Sequence, residues 1–150
     1  MLTDRISTFK LTPPVVVESG TSVASALDEI QRNSVGCILV VEAGKLRGIL
    51  TERDFLLKVV ARDVDYKLAV DKYMTPDPVT LTPEDSIGDA VNVMVEHKFR
   101  HVPILESGTG KPLAVFSIKD VINLVAESFP AQVLNLPPRP HQKMSTPEGA

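Results

Sequence analysis

The stretch GILTERD, Gly48 to Asp54, ends an apolar run and then sets a hydroxyl residue three positions before an acid; LAVFSIKD, Leu113 to Asp120, says the same again later in the chain. Thr51 with Asp54, and Ser117 with Asp120, have the spacing of a helix capping box, in which each side chain takes up a backbone N–H left open in the first turn. A helix start with free N–H groups and a positive dipole end is also a natural place for a phosphate, with the acid placed to hold a ribose. The motif alone leaves both readings open. Its repetition speaks to the fold.

Outward from the two phrases, VVVESGTSVASALDEIQRNSVGCILVVE (15–42) lies against VTLTPEDSIGDAVNVMVEHKFRHVPILE (79–106) at a constant offset of 64, so that Val15 meets Val79, Ser22 meets Ser86, Ala26 meets Ala90 and Glu42 meets Glu106. The second copy then has two extra residues in its turn, SGTGKP against AGKL, and the offset becomes 66: Gly48 falls on Ala114, Thr51 on Ser117 and Asp54 on Asp120. Self-similarity at a fixed period marks a duplicated structural unit.

Each copy reads as the same series. The β-branched runs Val15 to Val17 and Val79 to Leu81 are short strands followed by turn residues. Val23, Ala26, Leu27 and Ile30 recur at helical spacing, as do Ile87, Ala90, Val91 and Met94, behind Ser22 and Ser86 as N-caps. Cys37 to Val41 and Val102 to Leu105 are buried strands, each paired as a hairpin with Gly48 to Leu50 or Leu113 to Phe116. A second helix closes each unit, with Phe55, Val59, Leu56 and Val60 inward in the first and Val121, Leu124 and Val125 in the second. The fold class is therefore α/β in the α+β sense: two β-α-β-β-α repeats. Residues 1–66 hold the first repeat and its N-terminal lead-in, 67–129 the second, and 130–150 a proline-rich tail that composition makes a flexible or extended arm. Residues 61–79, charged and then rich in proline, read as a connector.

The bulk properties narrow the function classes. With 43% hydrophobic and 23% charged residues, a mean hydropathy of +0.08 and no long apolar run, the composition is that of a soluble protein without a membrane span. The N-terminus lacks the apolar core of a signal peptide, and one cysteine excludes an internal disulfide, so the expected compartment is the cytoplasm. A net charge of −3 argues against a nucleic-acid partner.

The repeated unit, the paired phrases that end it, and KYMTPDPVTLTPEDSIGDAVNVMVEHKFRHVPILE together resemble a tandem cystathionine-β-synthase (CBS) domain pair, a Bateman module, over roughly residues 10 to 128. The resemblance implies two repeats packed sheet to sheet about a pseudo-twofold axis, a free-standing module, and two related clefts that take adenine nucleotides. It implies that Thr51 and Ser117 face phosphates, that Asp54 and Asp120 take ribose hydroxyls, and that Ile49 and Phe116 flank them. Arg53 and Lys119 sit one residue before each acid, and Arg100-His101 stand where the family places a phosphate-contacting base; the first copy has Gly36-Cys37 instead. On the family's crossing pattern, one cleft combines Thr51 and Asp54 with Arg100 and His101. The other combines Ser117 and Asp120 with Val35, Gly36, Cys37 and Thr12.

The function implied is a non-catalytic sensor of AMP, ADP or ATP, with Mg²⁺ only as it accompanies ATP, which signals to a regulated protein through the arrangement of a homodimer. The alternatives are a constitutive interaction module with empty clefts, and another adenosyl ligand such as S-adenosylmethionine or NAD. The residues themselves offer no enzyme. No Ser, Cys or acid stands at a spacing that builds a triad with His101, Cys37 inside GCILVV reads as a buried small residue, and no grouping has metal-ligand spacing. Met74 and Met94 read as packing.

Overall fold

The run CILVVE carries no charge until its last residue, so a strand made from it is apolar on both faces and needs cover on both. The computed structural model, which describes residues Met1–Ser128, supplies that cover. Strand β2 (Cys37–Glu42) buries every residue but Glu42. Ile38 and Val40 join a core with Val23, Ala26 and Ile30 of helix α1 (Val23–Asn33), while Cys37 and Leu39 turn the other way, where Val115 of the second repeat packs on them. Two sheets therefore face each other across Cys37, Leu39 and Ile49, as the sequence leads one to expect.

The first sheet has the order β1-β2-β3-β4, with β1 at Val16–Glu18, β3 at Lys45–Thr51 and β4 at Thr75–Pro76. The β2–β3 hairpin turns on Ala43 (φ 51°) and Gly44 (φ 79°), both left-handed, the geometry that follows the right-handed strand twist. In the second repeat, helix α3 (Ile87–His97) precedes the hairpin of β5 (His101–Leu105) and β6 (Pro112–Ser117). The parallel pairing Val17↔Val40 reappears as the bridge Leu81↔Ile104, 64 residues on at both partners. Helices α1 and α3 each start on a serine: Ser22 accepts from the Ser25 N–H, and Ser86 forms a capping box with Asp89.

The stretch read as a connector is more than that. Val70–Lys72 form a single 3-10 turn, Val70 is fully buried in the first repeat's core, and the Val23 N–H donates to the Leu68 carbonyl at 2.9 Å. The same arrangement occurs 64 residues earlier against the other repeat. Ile6–Thr8 form a 3-10 turn, Ile6 is fully buried, and the Ile87 N–H donates to the Asp4 carbonyl at 2.9 Å. Bridges Ser22↔Ala69 and Arg5↔Ser86 complete the symmetry. The lead-in of each repeat is thus spent on the start of the other repeat's helix, and Asp71 pins one of them by accepting from the Ser19 hydroxyl and, at 2.7 Å, the Gly20 N–H.

Helix α2 (Glu52–Asp54) runs on as a π-helical segment, Phe55–Val60, in which the Ala61 N–H reaches back five residues to the Leu56 carbonyl at 2.9 Å. Phe55 and Val59 are buried as expected, but Leu56 and Val60 are 58% and 55% exposed, a correction to the four-residue inward face. The core beneath takes only the Phe55 and Val59 line.

Residues Met1–Ile118 form one compact unit, and Lys119 begins a second. The second unit is described through helix α4 (Ile118–Ser128), which holds Lys119 and Asp120 in its first turn. Its Leu124 is buried, whereas Val125, expected inward, is 42% exposed. The tail 130–150 lies outside the described residues.

Candidate functional site

Thr51 ends β3 and caps the helix that follows. Its Oγ1 accepts from the Asp54 N–H at 3.0 Å, and Asp54 Oδ2 accepts from the Thr51 N–H at 3.1 Å, closing the capping box in both directions. The other carboxylate oxygen, Oδ1, lies 3.3 Å from Lys58 Nζ, which in turn donates to Thr75 Oγ1 at 3.4 Å. This helix start is anchored just ahead of strand β2 by the Glu52 N–H, which donates to the Gly36 carbonyl at 3.0 Å. The joint is duplicated at the offsets of the repeat: the Ile118 N–H donates to the Arg100 carbonyl, also at 3.0 Å.

A cleft of about 570 Å³ opens beside this corner, a size suited to a small organic ligand. Its first wall is Gly36, Ile49 and residues 51–54; its second is 97–101, the segment that leaves α3 and enters β5; Thr75, Pro78 and Val79 close it. Thr51 and Asp54 of one repeat thus meet Arg100 and His101 of the other, with Ile49 and Arg53 on the same cleft. The crossing places Gly36 with Ser117, yet Gly36 borders this cleft as well. A Cβ on Gly36 would sit 2.8 Å from His101 Nε2, so the missing side chain is what leaves room for the imidazole.

The other candidates lie elsewhere. Cys37 is buried between the sheets, where burial and, less strongly, the nearby Glu52 carboxylate push its thiol up to about 12; it is neither a nucleophile nor a surface for ligand. Phe116 is buried on β6, and Thr12 is exposed on the extended lead-in. Val35 is half-buried just before β2, and Ser117 ends β6 opposite His101. Lys119 and Asp120 belong to α4 in the second unit.

Sequence reasoning missed part of the cleft. His97, Lys98 and Phe99 line it because α3 ends with Lys98 in the left-handed region (φ 59°), which redirects the chain along the cleft toward Arg100. The His97 and Phe99 rings stack at 5.2 Å between centroids. Thr75, Pro78 and Val79 arrive with the exchanged lead-in. Their signal was available: Pro14 and Pro78 stand 64 apart, as do Ile6 and Val70, so the repeat extends upstream of where the strands begin.

Chemically, the cleft offers two hydroxyls (Thr51, Thr75), two carboxylates (Glu52, Asp54), two imidazoles, three cationic side chains (Arg53, Lys98, Arg100) and an apolar strand surface. That set matches a ligand with hydroxyls, an anionic end and a flat apolar part. Among the described residues no cluster of three or more His, Cys, Asp or Glu is placed to hold a metal, and no helix is long and apolar enough to cross a membrane.

Comparison with known proteins agrees with the duplication. The CBS domain model matches residues 6–61 and again 70–127. An uncharacterised 17.7 kDa protein of Acidianus ambivalens is 33% identical over 118 residues, covering 78% of this chain and 70% of its own length. Among solved structures, a putative signal-transduction protein with CBS domains from Burkholderia ambifaria superposes with a TM-score of 0.72 at 29% identity, covering 83% of this chain and 93% of that one. The protein CBSX2, solved in complex with AMP, superposes with a TM-score of 0.70 at 25% identity over 83% of this chain and 97% of that one. Two matched domains, the 64-residue symmetry of their hydrogen bonds and the superposition of the whole pair lead to one assignment: the chain belongs to the CBS-domain family, as a tandem pair.

Proposed function

We propose that this CBS pair is a non-catalytic regulatory module that binds an adenine nucleotide, AMP, ADP or ATP, in the cleft between Thr51 to Asp54 and residues 97–101, and passes the binding state to a partner protein. The observation that carries the reading is the meeting, in one cleft, of the hydroxyl and acid pair of the first repeat with Arg100 and His101 of the second. Asp54 accepts from ribose hydroxyls, Arg100 and His101 face the phosphate end, and Ile49 lies against the base. The AMP complex of CBSX2 supports the ligand class. Other adenosyl compounds, S-adenosylmethionine or NAD, share the ribose and base that these groups would hold, and they stand as the alternative ligands.

A second copy fits the exposed apolar residues Leu56, Leu57 and Val60, each at least half exposed on the helix that Thr51 caps. Ligand at one end of that helix and a second copy along its side give a route from binding to dimer arrangement, provided the ligand prefers one arrangement. The capping box, already closed by the chain's own groups, favours the competing reading of a constitutive module whose helix starts need no ligand.

Calorimetric titration with AMP, ADP and ATP, repeated on Asp54→Ala, separates them. Saturable heat that is lost in a folded Asp54→Ala variant is the expected result. The absence of both heat and a melting shift with all three nucleotides would refute the nucleotide-sensor reading.

A further inference from the structure

The geometry points to Lys98 as the residue that sets how many phosphates the cleft accepts, favouring adenosine di- and triphosphate over the monophosphate; the inference rests on the adenylate reading above. Three cationic side chains border the cleft, Arg53, Lys98 and Arg100, and among the described residues none of them is ion-paired. Of the two acids there, Asp54 is already engaged by Lys58 and the Thr51 N–H. A monophosphate has three terminal oxygens and a charge of about −2, of which one guanidinium fork meets two oxygens and one charge, so two of the three cations are enough for it. Glu52, the other acid, is ion-paired with none of them, so the third cation gains a phosphate counterpart only when the ligand carries further phosphates.

The position of Lys98 strengthens the case. It is the left-handed residue that ends α3, where glycine or asparagine is the least strained choice. The first repeat makes the same turn with Ser34 (φ 52°), and its residues 33–37 are Asn, Ser, Val, Gly and Cys, without a charge. The backbone therefore needs the left-handed turn but not a lysine, and the charge is confined to the copy whose 97–101 segment lines this cleft.

The test is titration of the full chain with the sodium salts of AMP, ADP and ATP without Mg²⁺, then with it, for the native protein and Lys98→Asn. An added charge contact at an exposed site such as Lys98 corresponds to at most about a fivefold change in affinity. Native protein is expected to bind ADP and ATP about fivefold tighter than AMP, by a margin that shrinks with added salt. Lys98→Asn should bring the three affinities together by weakening ADP and ATP more than AMP, and melt no lower than native because asparagine suits the left-handed turn. Equal or tighter binding of AMP by native protein, or an unchanged preference in Lys98→Asn, overturns the role of Lys98 while leaving adenylate binding intact. No binding of any of the three overturns both.

Discussion

Gly48 is where the exchange of lead-in segments is tested most directly. Strand β4, brought from the start of the second repeat, pairs with β3 through Gly48↔Pro76 and Ile49↔Thr75. A Cβ at Gly48 would lie 2.4 Å from Met74 Sδ, 2.8 Å from Met74 Cγ and 2.9 Å from the Thr75 carbonyl oxygen. The methionine is flexible and swings aside. The carbonyl belongs to a paired strand and moves only if β4 lifts off β3. Overpacking of this kind costs about 1–3 kcal/mol, against which alanine gains about 0.4–1 kcal/mol by restricting the unfolded chain. Gly48→Ala should therefore destabilise by about 1–2 kcal/mol, a lowering of the melting temperature by roughly 2–8 °C. In a Met74→Ala background the sulfur contact is gone and the carbonyl contact remains, so the cost should shrink without vanishing. Urea denaturation of the four proteins, with fluorescence-independent detection by circular dichroism because the chain has no tryptophan, measures all of this. A Gly48→Ala protein as stable as native would refute the close approach of β4. The corresponding residue of the second repeat is Ala114, and there β6 pairs, among the described strands, only with β5, so a methyl group has room.

Other outcomes follow from the same structure. Gly36→Ala should push the His101 ring out of its place, since the obstacle at 2.8 Å is a side chain end, and leave stability within about 1 kcal/mol; unchanged His101 proton shifts in NMR would contradict the packing. At Asp71, desolvation raises the carboxyl, but hydrogen bonds from Ser19 and Gly20 outweigh it, with help from Arg47, and hold it below its ordinary value of 3.8. A depressed acid contributes stability that is present above that value and lost as pH falls through the lower folded one, so the stability gap between native and Asp71→Asn should be constant near neutrality and narrow below pH 3.8. Cys37, buried and held protonated, should resist thiol reagents at pH 8 in the native protein and react at once in denaturant; rapid native labelling would show the sheets to be open there.

Much of the local structure was legible. Ser22 and Ser86 cap their helices as the serine positions suggest, and Val23, Ala26, Ile30, Ile87, Ala90 and Met94 are buried as the stripe requires. These are consequences of spacing, which sequence carries directly. Leu56, Val60 and Val125 were misread because an apolar residue at helical spacing says only which side it lies on; how wide the covered strip is depends on what packs beneath. The cleft was legible in part. Thr51, Asp54, Arg100 and His101 are found together, but Lys98 and Thr75 join them through a left-handed turn and an exchanged strand, neither of which apolar periodicity reveals.

By itself the sequence determined the duplication, the order of elements in each copy, and the self-capped helix starts at Ser22, Thr51 and Ser86, because all of these depend on residue type and spacing over a few turns of chain. Tertiary structure decided which copy each lead-in serves. Ile6 and Val70 are interchangeable in kind, and so are the helix starts that receive them, so local preference cannot say whether a segment packs on its own repeat or on the other. Their reciprocal burial settles it. The same exchange carries Thr75, Pro78 and Val79 to the cleft, so a site composed from both copies exists only once the chain has closed on itself.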